Sequence, residues 1–463
     1  KYTTKNNHMK YFFSLLLSFA IFSIATAQDF KKVETAVLLN KFEDAKTEID
    51  KSLADPKNQS KPEGYYWKAR IYAALFKNEA TRAKYPNAVE DAHAAFKKYA
   101  ELEPSLVKAK EKGPDGYFDM YSTSFNLGIN SFKDKKYDVA SKEFEKAVVY
   151  SDYIFKNKWA SSQQPFDTTS ILYCAYSFQN AQKQDDAVKY YIRLAESKVT
   201  GEGFADIYKY LIDYNTKKKD KEGFEKYLAL GKEVYPAENW EDFEIDYIDQ
   251  NYDLAGKTAL YDELDAAGKL TENKYLQFGD VFVSVRNNEG VDSLTTDKYN
   301  RKAIDAFKKA YGKNNNNAVA AFNVGVTYYN FFNLEDDKYA ANIKKLQEIN
   351  ANKPVIKDPK KKVAAEAEHK AKVDAIKNAN LVIEKNAMEI TDIAAEWLTK
   401  SYMILKDKSP RTNTEKSVIN KSVDFIANIY YYKMNRVRGK DAKLFDQYEA
   451  KYKEFDGLHA TFK

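Results

Sequence analysis

The sequence predicts an all-α chain assembled from repeated helix-turn-helix units, and three observations lead there. Gly (16) and Pro (10) are scarce over 463 residues, whereas runs rich in Ala, Lys, Glu, Leu and Tyr favour helix over a loop-rich β fold. Small residues recur with large ones three and four positions away, the spacing that places them on one helical face. Hydrophobic residues at 44% and charged residues at 31% specify a folded, soluble body. Aromatic residues reach 15%, with 36 tyrosines; such rings pack a core or, on a repeat surface, turn outward as a binding face.

The front of the chain reads as a targeting segment. Lys10 supplies a positive start, Tyr11 to Ile24 an apolar stretch, and Ala25-Thr26-Ala27 a small-residue cleavage site before Gln28. Residues 9–27 are therefore expected to be a secretory signal peptide with cleavage after Ala27. The apolar run of about 14 residues is short of the ~20 needed to span a bilayer. No cysteine follows the cleavage site, so a bacterial lipoprotein anchor is not expected. Residues 1–8 precede a plausible initiator at Met9 and read as an upstream artefact.

The formal charge of +6 includes Lys1, Lys5 and Lys10. Without those three lysines, 71 basic side chains face 68 acidic ones, a balance that implies no nucleic-acid partner.

Four segments carry the repeat. In FNLGINSFKDKKYDVASKEFEKAV, Leu127 and Gly128 open a first helix, Tyr137 marks the turn, and Ala140, Phe144 and Ala147 line a second helix. The next, ILYCAYSFQNAQKQDDAVKYYIRLA, repeats the register through Ala175, Phe178, Ala187 and Tyr191. A third starts at YLQFGDVF with Tyr275, Phe278, Gly279 and Phe282, and its second helix resumes at Ala303, Phe307 and Ala310 after a polar insertion at about 283–297. A fourth, AFNVGVTYY, places Val324, Gly325 and Tyr328. Weaker units begin at Tyr65, Ala69 and Tyr72, closed by Ala92, Phe96 and Pro104, and at Tyr208 and Leu211, closed by Leu228 and Pro236. Ala45 and Ile49 mark a first helix B, Ala394, Leu398 and Ser401 a late one, and Val423, Ile426, Ala427 and Tyr430 a final helix A.

These segments resemble the tetratricopeptide repeat, whose helix A carries W-x2-L-G-x2-Y and whose helix B carries A-x3-F. The resemblance covers nearly all of the chain after residue 27. It implies an irregular α-solenoid with insertions, because a single unit cannot bury its own apolar face and must stack on the next. Two arrays are expected, at 28–270 and 271–463. The second contains a Lys- and Ala-rich insertion at about 351–388, read from Lys361 onward as one long exposed helix that lengthens the fourth pair. Pro354 and Pro359 mark the loop before it. Its Lys run suits a solvated face, or a peripheral contact with an anionic envelope surface.

Chemistry is harder to find. Beyond the targeting segment there are three histidines, His93, His369 and His459, none paired at zinc-helix spacing. The lone Cys174 lies in an apolar helical run, where burial disfavours thiolate. There is no G-x-S-x-G elbow, P-loop or dinucleotide fingerprint. The acids of WEDFEIDYIDQ interleave with Trp240, Phe243, Ile245 and Tyr247, as on a surface helix. Glu335, Asp336 and Asp337 lack the alternating ligands of a calcium loop. No catalytic residue, metal or cofactor is expected.

The resemblance implies a concave groove lined by helix-A faces. Here that face carries Phe125, Asn126, Ile129 and Lys133, then Tyr173, Tyr176 and Asn180, and in the fourth unit Phe322, Asn323 and Tyr329. Asn suits an extended peptide, because its amide both donates and accepts. The expected function is a non-enzymatic protein-binding scaffold or adaptor, engaging another protein or peptide in the periplasm, with association to the outer membrane as one setting. The combination of repeat, signal and Tyr-, Asn- and Lys-rich composition is similar to periplasmic proteins of the Bacteroidota. The alternatives are a glycan-binding protein of the SusD type and, further off, an envelope enzyme such as a lytic transglycosylase.

Overall fold

The computed structural model describes residues 30–162, 164–287, 289–353 and 359–462. The expected signal peptide, the residues before it and Pro354 lie outside the described residues. Those described form twenty α-helices and two short 3-10 turns, with no strand among them. The chain divides into two compact units, residues 1–243 and 244–463, each described separately.

In the first unit the helices run α1 (Lys31–Leu38), α2 (Phe42–Ala54), α3 (Pro62–Lys77), α4 (Glu79–Lys84), α5 (Ala88–Leu102) and α6 (Val107–Lys112). They continue as α7 (Asp115–Lys133), α8 (Tyr137–Lys156), α9 (Thr168–Asn180), α10 (Gln184–Glu196), α11 (Ala205–Lys218) and α12 (Lys221–Val234). The unit boundary falls within α13 (Glu241–Asn251). The second unit then holds α14 (Leu254–Ala266), α15 (Glu272–Ser284), α16 (Ser293–Lys313), α17 (Ala318–Ala351), α18 (Pro359–Leu405), α19 (Asn413–Val437) and α20 (Ala442–Asp456).

One turn recurs between paired helices. Asn40, Lys135, Gln182 and Lys219 adopt the left-handed backbone, with φ of 55°, 60°, 62° and 58°. In each case the next N–H reaches back five residues: Lys41 to Ala36 O, Lys136 to Ser131 O, Lys183 to Phe178 O and Asp220 to Asn215 O, at 2.8–2.9 Å. This Schellman closure satisfies the last carbonyls of helix A and turns the chain directly into helix B. Gly268, at φ 65°, closes α14 with the same turn ahead of the helix A α15, with Lys269 N donating to Leu264 O at 2.9 Å.

Close helix contact fixes three of the four strong pairs. A Cβ on Gly128 would lie 2.9 Å from the ring of Phe144, which is fully buried, so only glycine lets α7 approach α8 this closely. Gly279 meets the buried ring of Phe307 in the same way between α15 and α16. Gly325 meets Leu398 between α17 and α18, where a Cβ would stand 2.7 Å from Leu398 Cγ. The fold is thus the expected one: stacked helix-turn-helix pairs of tetratricopeptide type, irregular and interrupted by insertions.

The rest of the first unit's core is largely aromatic. Phe96 packs on Tyr117 at 4.2 Å between centroids, and Tyr117 in turn on Trp159 and Tyr153. The weak early unit is α3 against α5, with Ala69 and Ala92 both fully buried and α4 inserted between the two helices. His93 lies at the exposed edge of α5, where its Nδ1 shares a 2.9 Å hydrogen bond with Tyr150 OH.

The second unit departs from the sequence reading in two places. The polar insertion is shorter than 283–297, because Asp292 accepts from Thr295 N and starts α16 at Ser293. And α20, which packs on α19 through Phe455, completes the final pair. The long helix was legible: α18 runs for 47 residues and pairs with the 34-residue α17. Along α18 the covered positions include His369, Val373, Ile376, Asn380, Ile383, Ala387, Ile390 and Ala394, which alternate four and three apart, with Thr391 and its neighbours added toward the root. That is a coiled-coil seam. Within it, Asn342 of α17 donates to Asn380 Oδ1 at 2.8 Å. At the hairpin's root Arg436 of α19 lies between the rings of Tyr339 and Tyr432, 4.0 and 4.8 Å away, and bonds Asp336 at 3.2 Å. The buried Lys433 pairs with Asp392 and rests over Tyr448.

The glycine contacts yield a paired prediction. Gly279→Ala should lower the unfolding free energy read from urea titration by a net ~1–2 kcal/mol, the overpacking against Phe307 exceeding the gain in helix propensity. Gly312→Ala on α16, where a Cβ meets nothing within 4 Å, should be neutral or stabilise by up to about 1 kcal/mol. Equal effects at the two sites would contradict the close-contact account.

Candidate functional site

The helix-A residues singled out by sequence fall into two sets, one in each unit. In the first unit α7 and α9 lie side by side: Phe125 and Phe132 of α7 both touch Tyr173 of α9, with centroids 6.2 and 5.8 Å apart. Tyr173 stacks on Phe144 at 5.3 Å and Phe125 meets the same ring edge-on at 5.6 Å. Phe125, Ile129, Tyr173 and Tyr176 are all half-buried. These rings therefore form a floor, held by one another, more than a row of free faces. Burial pushes the Tyr176 hydroxyl above its ordinary range.

Polar groups stand above this floor. Asn126, Lys133 and Asn180 are exposed. Asn180 donates through Nδ2 to Tyr176 O at 2.7 Å, a bond within its own helix that fixes its side chain. The arrangement can offer amide and ammonium groups beside an apolar strip.

The set in the second unit is tied down more tightly. Phe322 and Tyr329 of α17 pack against Phe425 of α19, at 6.3 and 4.7 Å, and burial raises the Tyr329 hydroxyl. Asn323 is half-buried and donates to Asp280 Oδ1 of α15 at 3.3 Å. Asp280 was not foreseen. It follows Gly279 by one position, and its register on helix A is the only sequence signal for it. Desolvation of the carboxyl pushes it up to about 6, although the residue as a whole is exposed, which limits the effect.

Several of the remaining reactive groups are occupied. Cys174 is buried, its thiol pushed far above its ordinary range by desolvation. In the acidic stretch around α13, Glu244 pairs with Lys274 and Asp249 with Lys257. Glu335 and Asp336 pair with Lys338 and Arg436. Among the described residues no group of three or more His, Cys, Asp or Glu is placed to hold a metal ion. No described helix is long and apolar enough to cross a membrane.

The Asp280 carboxyl makes stability depend on pH. Its folded value lies above the ordinary one near 4, so the ionised form costs stability above pH ~6 and the cost vanishes as pH falls toward 4. Asp280→Asn should therefore stabilise the chain at pH 7.5, by about 1 kcal/mol or less given partial solvent access, and the gain should fade by pH 4.5. Urea titrations of both proteins across that range check it; a gain that does not change with pH would refute the assignment.

No family model matches this chain, and no curated protein matches it. Among solved structures it is similar to the TPR domain of P58(IPK), at 10% identity over 87% of this chain and 98% of that one, with a TM-score of 0.26. It is also similar to a monomeric IFIT1 mutant with Gppp-AAAA, at 13% identity over 92% and 89%, TM-score 0.17. The APC/C hetero-tetramer Cut9–Hcn1 aligns at 13% identity over 93% and 90%, TM-score 0.15. Superpositions this loose carry no weight beside the contacts above, so the repeat assignment rests on the glycine-to-ring packing and the shared turn.

Proposed function

We propose that this chain is a non-catalytic scaffold that binds another protein through the helix-A faces of its repeats. The observation that carries the reading is the α7–α9 surface, where exposed Asn126, Lys133 and Asn180 rise from a floor of half-buried rings. Such a surface offers apolar contact and oriented donors and acceptors together, the combination that peptide recognition uses. The pattern of residues 9–27 supports export, which makes the periplasm and the cell envelope the setting. The Bacteroidota-like composition belongs to the same reading. The glycan-binding alternative draws less support, because the rings that would stack on sugars are engaged with each other.

The test is partner capture from an envelope fraction by cross-linking. A chain carrying Asn126→Ala, Lys133→Glu and Asn180→Ala should capture its partner about tenfold less, with an unchanged melting temperature, since all three side chains are exposed. Undiminished capture would move the binding surface elsewhere. A melting shift with oligosaccharides and none with envelope proteins would favour the glycan reading. Turnover of peptidoglycan would overturn both.

A further inference from the structure

The α17–α18 hairpin changes sign along its length. At its root, residues 333–339 and 384–396 carry seven acids against two lysines. Cations of α19 meet that excess: Arg436 bonds Asp336, Lys433 bonds Asp392 and Lys440 bonds Glu384. Farther out the balance reverses. The described residues between 340 and 383 include eight lysines, four acids and no arginine. Of these lysines, Lys372 pairs with Glu368 at 2.7 Å. Lys344, Lys345, Lys353, Lys362, Lys370 and Lys377 are exposed and pair with no carboxylate among the described residues.

The seam's register shows where these charges stand. Glu384, Lys377 and Lys370 follow one another at seven-residue steps, so they share one flank of the seam, the flank that also holds Asp336 of α17. That flank is acidic where α19 covers it and basic beyond. Lys345 lies on the opposite flank and Lys344 on the outer side of α17. The lysines therefore surround the arm and do not line a single face. An ordinary solvated helix interleaves both signs and pairs them three or four residues apart. Here unpaired cations crowd the part of the hairpin that runs about 18 Å beyond Tyr339, at 1.5 Å for each residue to Ala351. Their mutual repulsion is relieved by an anionic surface.

We propose that the outer part of the α17–α18 arm docks on the headgroup surface of an anionic lipid bilayer through its unpaired lysines. The choice of lysine favours this partner. Arginine's planar fork suits a discrete phosphate or carboxylate held in fixed geometry, as on a nucleic acid or a folded protein, whereas lysine acts as a hydrated point charge. Point charges spread around the end of a stiff arm suit a plane of many mobile anions, which rearrange to meet them whichever side of the arm approaches. A groove or a helix would need the cations on one face. The surface uses none of the α7–α9 residues, so its failure leaves the scaffold reading standing, and the reverse.

The experiment is cosedimentation of the full chain with vesicles of equal parts phosphatidylglycerol and phosphatidylcholine, and with vesicles of phosphatidylcholine alone. Only the anionic vesicles should carry the chain down, and about 0.5 M salt should release it. A lysine at such a surface tightens binding by about fivefold. A chain with Lys344→Gln, Lys345→Gln, Lys370→Gln and Lys377→Gln should therefore bind at least ~10-fold more weakly, with its melting temperature unchanged because all four side chains are exposed. Arginine at the same four positions should keep the binding. Glutamine at four exposed lysines of the first unit, Lys57, Lys136, Lys189 and Lys221, should also leave it intact. No binding to anionic vesicles, equal binding to both kinds, or equal loss in the two glutamine variants would overturn the proposal. Binding of polyglutamate or duplex DNA that depends on the arm lysines, with none to vesicles, would overturn it in favour of a macromolecular polyanion.

Discussion

The architecture depends on how near two helices of a pair can come. At Gly128, Gly279 and Gly325 the absence of a Cβ lets a large side chain of the facing helix, Phe144, Phe307 or Leu398, lie directly on backbone. A fully buried Phe or Leu contributes roughly 1.5–3 kcal/mol relative to exposure, and it does so only if the partner helix is close enough to exclude water. At the end of α7 the Schellman turn serves the same contact by returning the chain without slack. Both sides of a pair are then set by local sequence, while each pair leaves an apolar flank that only its neighbour can cover.

This division explains what was legible. The small residue of helix A, the large residues and the spacing between them survive as pattern, so four strong units could be found by eye. The long α18 was visible because a run without Gly or Pro, rich in Ala and Lys, has little alternative to helix. The start of α16 was misplaced because the capping Asp292 looked like one more polar residue of an insertion. α20 escaped because its apolar positions, such as Tyr448, Tyr452 and Phe455, lack a small residue to set the register.

The candidate surfaces were less legible than the fold, for a physical reason. Pattern places a residue on a face but does not say what it touches. Phe125 and Tyr173 were read as lining an open groove, and in the structure their rings hold each other and Phe144. Lys433, ordinary in sequence, is among the most buried charges of the described residues.

The seam between α17 and α18 carries a consequence for how this chain can change over evolutionary time. Because covered positions alternate four and three apart and the Asn342–Asn380 bond tolerates only one alignment, single insertions in either helix would rotate every later residue out of the seam. Matched gains or losses of whole heptads on both strands of the hairpin would not. The arm can therefore be resized only in increments of about 10 Å, the rise of seven helical residues. Its reach is a quantised trait, adjustable without disturbing the repeats from which it springs.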